Sequence, residues 1–144
     1  MEVPNKNKTF KTLKNHEELV YKSKHFLLEL YRCDCDKLND ESFLRCTLHN
    51  AAKLANATVL NLISNKFEPQ GVTAIALLAE SHISIHTWPE SHYSAVDIFT
   101  CGQNMKPDLS CKFLIESLMA EEHLLRIINR NPPSTINNQV RTLN

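Results

Sequence analysis

The sequence predicts a two-layer α+β sandwich, an antiparallel sheet with two helices on one face, and three observations predict it. Apolar runs with strand character follow one another through residues 58–63, 73–79, 81–88 and 94–99, and adjacent strands joined by short connections pair antiparallel. Two helical segments flank this block and are available to cover one of its faces. The chain of 144 residues, 42% hydrophobic and 22% charged, has the composition of an ordinary soluble protein and enough length for one core without staples.

The elements follow in order. Residues 1–22 are polar and lysine-rich without sustained periodicity and read as a flexible extension, with a short helix through Glu17, Glu18 and Leu19 as the other reading. His25–Cys33 (HFLLELYRC) reads as a strand. Asn39 or Asp40 can cap a helix from Glu41 to Ala57, whose Leu44, Leu48, Ala51, Ala52 and Ala55 form one apolar stripe. Thr58–Ile63 is the next strand, and residues 65–71 loop into the central segment. After a turn at 102–108, Pro107 and Asp108 suit the start of a helix running to Glu122, with Cys111, Leu114, Ile115, Leu118 and Met119 on one side. His123–Arg130 is the last strand, and residues 132–144 are a polar tail. The single domain therefore spans 23–131. A sheet covered on one face leaves the other open, and that face predicts a homodimer.

Composition excludes several functions. Sixteen basic and sixteen acidic residues cancel, so nothing in the balance argues for nucleic acid or a membrane as partner. No apolar run approaches the roughly 20 residues of a membrane span, and the first residues lack the apolar core of a signal peptide. Five cysteines without a CxxC pair fit free thiols in the cytoplasm. The Cys33-Asp34-Cys35 spacing does not make a zinc site, and no other metal-ligand constellation stands out, so no metal is expected. With two glycines in the chain, neither a P-loop nor a dinucleotide fingerprint is present.

The chemistry concentrates between Gly71 and Gly102. From Ser81 the residues alternate: Ile83, Ile85 and Thr87 point one way, His82, Ser84, His86 and Trp88 the other. Between Thr73 and Trp88 there is no Gly, Pro, Asn or Asp, which would imply one strand of sixteen residues where about five or six are usual. Something interrupts it near Ala79-Glu80-Ser81-His82, and a bulge or a tight turn of poor turn residues would do so.

LLAESHISIHTWPE (77–90) followed by SAVDIFTCG (94–102) resembles the short, prokaryotic class of S-adenosylmethionine decarboxylases, and the resemblance extends more weakly from Lys24 to Arg130. It implies that family's fold and a chain that severs itself between Glu80 and Ser81 into fragments 1–80 and 81–144. Ser81, held in a strained peptide unit, would become a pyruvoyl group that traps the substrate amine as a Schiff base in place of pyridoxal phosphate. The resemblance assigns His86 as processing base and Cys101 as proton donor; Cys46 and Cys111, on helix stripes, read instead as small buried hydrophobes. Thr73, where the family usually has serine, would offer its hydroxyl to the processing intermediate. Phe67 and Trp88 match stacking residues, and Glu90 matches the carboxylate that accepts ribose hydroxyls.

The implied function is decarboxylation of S-adenosylmethionine to give the aminopropyl donor for spermidine synthesis. One departure bears on the substrate: where the family commonly has a glycine-containing turn and Tyr-Ala-Ala, this chain has Glu90-Ser91-His92-Tyr93-Ser94-Ala95. A pyruvoyl-dependent arginine or ornithine decarboxylase is therefore the alternative, and an inactive partner subunit a further one.

Overall fold

The computed structural model describes residues 23–130; the extension 1–22 and the tail 132–144 lie outside the described residues. Six strands, β1 (Ser23–Tyr31), β2 (Val59–Lys66), β3 (Val72–Leu78), β4 (His82–Trp88), β5 (Tyr93–Cys101) and β6 (Glu122–Arg130), form one sheet in the order β2-β3-β4-β5-β1-β6. Every neighbouring pair is antiparallel. Helices α2 (Glu41–Leu54) and α3 (Pro107–Ser117) cover one face, the two-layer α+β sandwich that the sequence predicts. A one-turn helix α1 (Cys35–Leu38) is added to the expected pair, capped by Asp34, whose carboxylate accepts the Lys37 amide.

Alternation decides which face is covered. Leu28 and Leu30 of β1, Ile83 and Ile85 of β4, and Val96 and Ile98 of β5 lie within 2% of full burial and meet Leu44, Leu48 and Ala51 of α2 and Leu114 and Leu118 at the end of α3. Each such Leu or Ile contributes about 1.5–3 kcal/mol by leaving water. Asp40 caps α2, accepting the Phe43 amide at 2.9 Å. Asn39, the other candidate, instead accepts the Gly71 amide at 3.0 Å and ties the β2–β3 loop to α1.

Both helices end earlier than periodicity predicts. The helix expected to reach Ala57 stops at Leu54 because Asn56 turns left-handed (φ 59°) and the Ala57 amide reaches back to the Ala52 carbonyl. The one expected to reach Glu122 stops at Ser117, with Met119 left-handed (φ 54°) and the Ala120 amide on the Ile115 carbonyl. Apolar periodicity continues through such a stop, since the first residues beyond a left-handed cap still pack on the core.

The overlong central run breaks at a tight turn. Leu77 pairs with His82, the Leu78 amide donates to the Ser81 carbonyl at 2.9 Å, and Ala79 and Glu80 make the connection. The left-handed non-glycine residues among those described are Arg32, Asn56, His92 and Met119, so the strain expected at Ser81 does not take that form.

Gly71 sits at φ 100°, and a Cβ there would lie 2.9 Å from the Thr87 carbonyl oxygen. Gly71→Ala must strain the backbone and push β4 away from the loop. It is expected to cost about 1–3 kcal/mol, measured as a lowered denaturant midpoint with unchanged slope.

Candidate active site

The face opposite the helices carries the chemistry. On it β4 presents His82, Ser84, His86 and Trp88, while β3 presents Thr73 and β5 presents Tyr93, Asp97, Phe99 and Cys101. The alternation read from the sequence thus places the imidazoles on one side of β4.

Two clusters occupy opposite ends of this face. In the first, Thr73 and His86 are cross-strand partners, with Thr73 Oγ1 and His86 Nδ1 hydrogen-bonded at 2.9 Å. The Trp88 indole lies 6.4 Å from the His86 ring. Phe67 is half-exposed in the β2–β3 loop, where its amide donates to the Gly71 carbonyl, and Glu90 is exposed in a 3-10 turn, Pro89–Ser91, just after Trp88. Thr87 fixes this end from behind. Its buried hydroxyl accepts the Val72 amide at 2.8 Å and donates to the Leu38 carbonyl at 2.7 Å, locking β3 against β4 beside the Thr73–His86 pair.

The second cluster holds Glu80, Ser81 and Cys101. Cys101 lies two residues beyond Phe99, the partner of His82, hence at the end of the sheet where Ser81 enters β4. The Cys101 thiol is exposed and accepts a bond from Ser23 Oγ at 3.7 Å. Thr58 holds the turn at two points: its amide donates to Glu80 Oε2 at 3.0 Å, and its carbonyl accepts the Ala79 amide at 2.9 Å. From Ser81 to His86 is five residues of extended chain, about 16 Å at roughly 3.3 Å per residue. Within one chain, then, the expected nucleophile and the expected base are not brought together.

Between the clusters lies a polar patch that joins Ser84 to His25 and Asp97, two residues given no role by the sequence. His25 Nε2 meets Asp97 Oδ1 at 3.1 Å, and Ser84 Oγ donates to Asp97 Oδ2 at 3.3 Å. Glu29, which accepts the Tyr93 phenol, was likewise missed. The signal was the alternation of β1, which sets His25, Leu27, Glu29 and Tyr31 on the open face.

The cysteines divide by environment. Cys33 and Cys111 are buried, which pushes their thiols up to about 11 and about 12, with the Asp108 charge adding to the effect at Cys111. Cys46, expected to be a buried hydrophobe, is exposed instead, because it lies off the Leu44–Leu48–Ala51 stripe. The two departures in the turn also resolve. Ser94 is fully buried on the helix side, its hydroxyl donating to the His86 carbonyl. His92 adopts the left-handed conformation (φ 49°) that glycine takes most readily, and its Nδ1 lies 2.9 Å from the Cys33 carbonyl oxygen. Ser94 therefore does not crowd the face that bears Trp88.

Fold and site define a one-sided α+β enzyme that carries its reactive groups on the uncovered face of its sheet. A model of the S-adenosylmethionine decarboxylase family matches residues 24–131. The chain is 58% identical over 118 residues to an S-adenosylmethionine decarboxylase proenzyme of Parasynechococcus marenigrum, covering 82% of this chain and 92% of that one. It is 51% identical over 85 residues to the proenzyme of that name from Methanococcus maripaludis, covering 59% and 70%. The crystal structure of the adenosylmethionine decarboxylase from Aquifex aeolicus superposes with a TM-score of 0.73 at 33% identity, covering 85% of this chain and 98% of that one. The chain belongs to the S-adenosylmethionine decarboxylase family. None of these similarities supports the arginine or ornithine alternative.

Proposed function

We propose that this chain is a self-processing decarboxylase of S-adenosylmethionine, made as a precursor and cut between Glu80 and Ser81, and that it works as a homodimer in the cytoplasm. The observation that carries the reading is the hydrogen-bonded Thr73–His86 pair on the same uncovered face as Cys101. The pyruvoyl group left at Ser81 supplies a ketone that condenses with the substrate amine and an adjoining carbonyl that accepts electrons as carbon dioxide leaves.

The residues present fit that group. Ser81 is half-buried at a turn whose other half, Glu80, is anchored by Thr58, so the carbonyl to be attacked is held while the hydroxyl approaches. Thr73 offers a hydrogen bond to the oxygen of the tetrahedral intermediate, and His86 takes the α-hydrogen of Ser81. Cys101 holds the proton that returns to the substrate carbon. Phe67 and Trp88 provide faces for the adenine and the sulfonium cation, the cation contact being worth about 0.5–2 kcal/mol, and Glu90 accepts the ribose hydroxyls. Five free cysteines fit a reducing compartment, and no described helix is long and apolar enough to cross a membrane.

The separation of the clusters supports the dimer. Ile63 and Leu77 on β2 and β3 and Leu124 and Ile128 on β6, at the two sides of the sheet, are exposed on the open face and offer a partner apolar contacts on either side of the polar centre. A two-fold axis running across the strands in the plane of that face would set one protomer's His86 end over its partner's Ser81 end.

Carbon dioxide release assayed in parallel from S-adenosylmethionine, arginine and ornithine tests the function. Release from the first is expected, and release only from another overturns it. Cys101→Ala is expected to cut normally on a denaturing gel while turnover falls by about 10²–10⁴-fold, the usual worth of a positioned proton donor. Unchanged turnover in this variant would remove Cys101 from the chemistry.

A further inference from the structure

Three aromatic rings run across one end of the open face. Trp88 of β4 and Tyr93 of β5 are register partners, with ring centroids 5.2 Å apart and planes at 26°. Tyr93 stacks in turn on Tyr31 of β1 at 5.6 Å and 23°. The Tyr93 phenol donates to Glu29 Oε2 on the same strand as Tyr31. Trp88 is 41% exposed in the single chain, so its own protomer's core does not hold it, and such an indole turns about its side-chain torsions unless neighbours restrict it.

We propose that Tyr93 is a positioning residue, clamped between Glu29 and Tyr31, that fixes the plane of the Trp88 indole and thereby sets how tightly the flat ring of the substrate is held. The inference rests on the stacking role assigned to Trp88 above. The clamp is a chain of single contacts: Glu29 sets the phenol, the phenol sets the tyrosine ring, and the ring limits the indole. Burial first, and then the Glu29 hydrogen bond and charge, raise the Tyr93 phenol well above its ordinary range, so it remains a protonated donor wherever the enzyme works. Because the same indole borders His86, a displaced Trp88 would also open space beside the processing base. Self-cleavage has no need of the adenine site, however, so it is expected to proceed without the clamp.

Trp88 is the only tryptophan in the chain, so selectively excited fluorescence reports this ring alone. Tyr93→Leu, which removes the stack, is expected to lower Trp88 anisotropy, increase its quenching by acrylamide, and raise KM for S-adenosylmethionine by roughly three- to tenfold, with kcat within about twofold and cleavage unchanged. Tyr93→Phe keeps the ring, loses the Glu29 bond, and is expected to give a smaller shift in the same direction. It decides the matter if the leucine variant does not fold. Wild-type anisotropy and KM in a folded Tyr93→Leu protein would overturn the clamp, as would a loss confined to kcat. Absence of decarboxylation by the wild type would sink the proposed function instead, and the anisotropy of the two variants would still decide whether Tyr93 holds Trp88.

Discussion

Ser81→Ala is expected to remain a single intact chain of 16.5 kDa, with carbon dioxide release lost altogether, while the wild type gives two fragments on a denaturing gel. In the proposed processing the loss is total because the side chain would be consumed in making the electrophile. Its Oγ would add to the Glu80 carbonyl carbon, the bond from that carbon to the Ser81 nitrogen would break with the nitrogen taking a proton, and an ester would join the two halves. Removal of the Ser81 α-hydrogen would then break the Oγ–Cβ bond and free Glu80 as a carboxylate; the remaining enamine would take a proton at Cβ, and water would replace its nitrogen, released as ammonia, to leave a ketone. Alanine offers no oxygen for the first step. It keeps the fold, since the turn bond from Leu78 goes to the Ser81 backbone carbonyl, and an unchanged circular dichroism spectrum checks this. Cleavage of the Ser81→Ala chain, or an ordinary serine at position 81 in matured wild type, would sink the mechanism.

The faces of the strands and the consecutive pairing of β2 to β5 were legible from residue order; the places of β1 and β6 were not. Alternation alone placed His86 and Trp88 opposite Ile83 and Ile85, because side chains on a strand alternate whatever the strand pairs with. Nothing in that pattern says that β1 inserts between β5 and β6, a pairing made across some seventy residues (Leu28 with Val96, for example). The Thr73–His86 contact follows from the two-residue turn at Ala79-Glu80, and the same turn carries Ser81 to the far end of the strand. A family motif gives reactive residues in order along the chain without saying which of them meet. Ser94 shows the opposite failure: its parity with Val96 and Ile98 already put it on the helix side, and the departure from the family pattern drew attention to its polarity instead.

Co-expression of Ser81→Ala with His86→Ala is expected to restore cutting that is slow or absent in either variant alone. His86→Ala by itself should process about 10²–10⁴-fold more slowly, the loss usual for a general base, and Ser81→Ala not at all. In a mixed dimer the His86→Ala chain contributes an intact Ser81, and its partner contributes an intact His86 and Thr73. If the two clusters of one site come from different protomers, as proposed from their separation of about 16 Å along β4, that dimer holds one complete site. With random pairing, half the chains are in mixed dimers and half of those carry Ser81, so about one chain in four is cut. The fragments should derive from the His86→Ala chain alone, which intact mass distinguishes. Arrangement within one chain predicts no restored cutting, because each protomer then lacks a member of its own site. Mixed dimers isolated through two different tags and remaining uncut would therefore refute the shared site, and a monomeric mass by sedimentation would remove its premise.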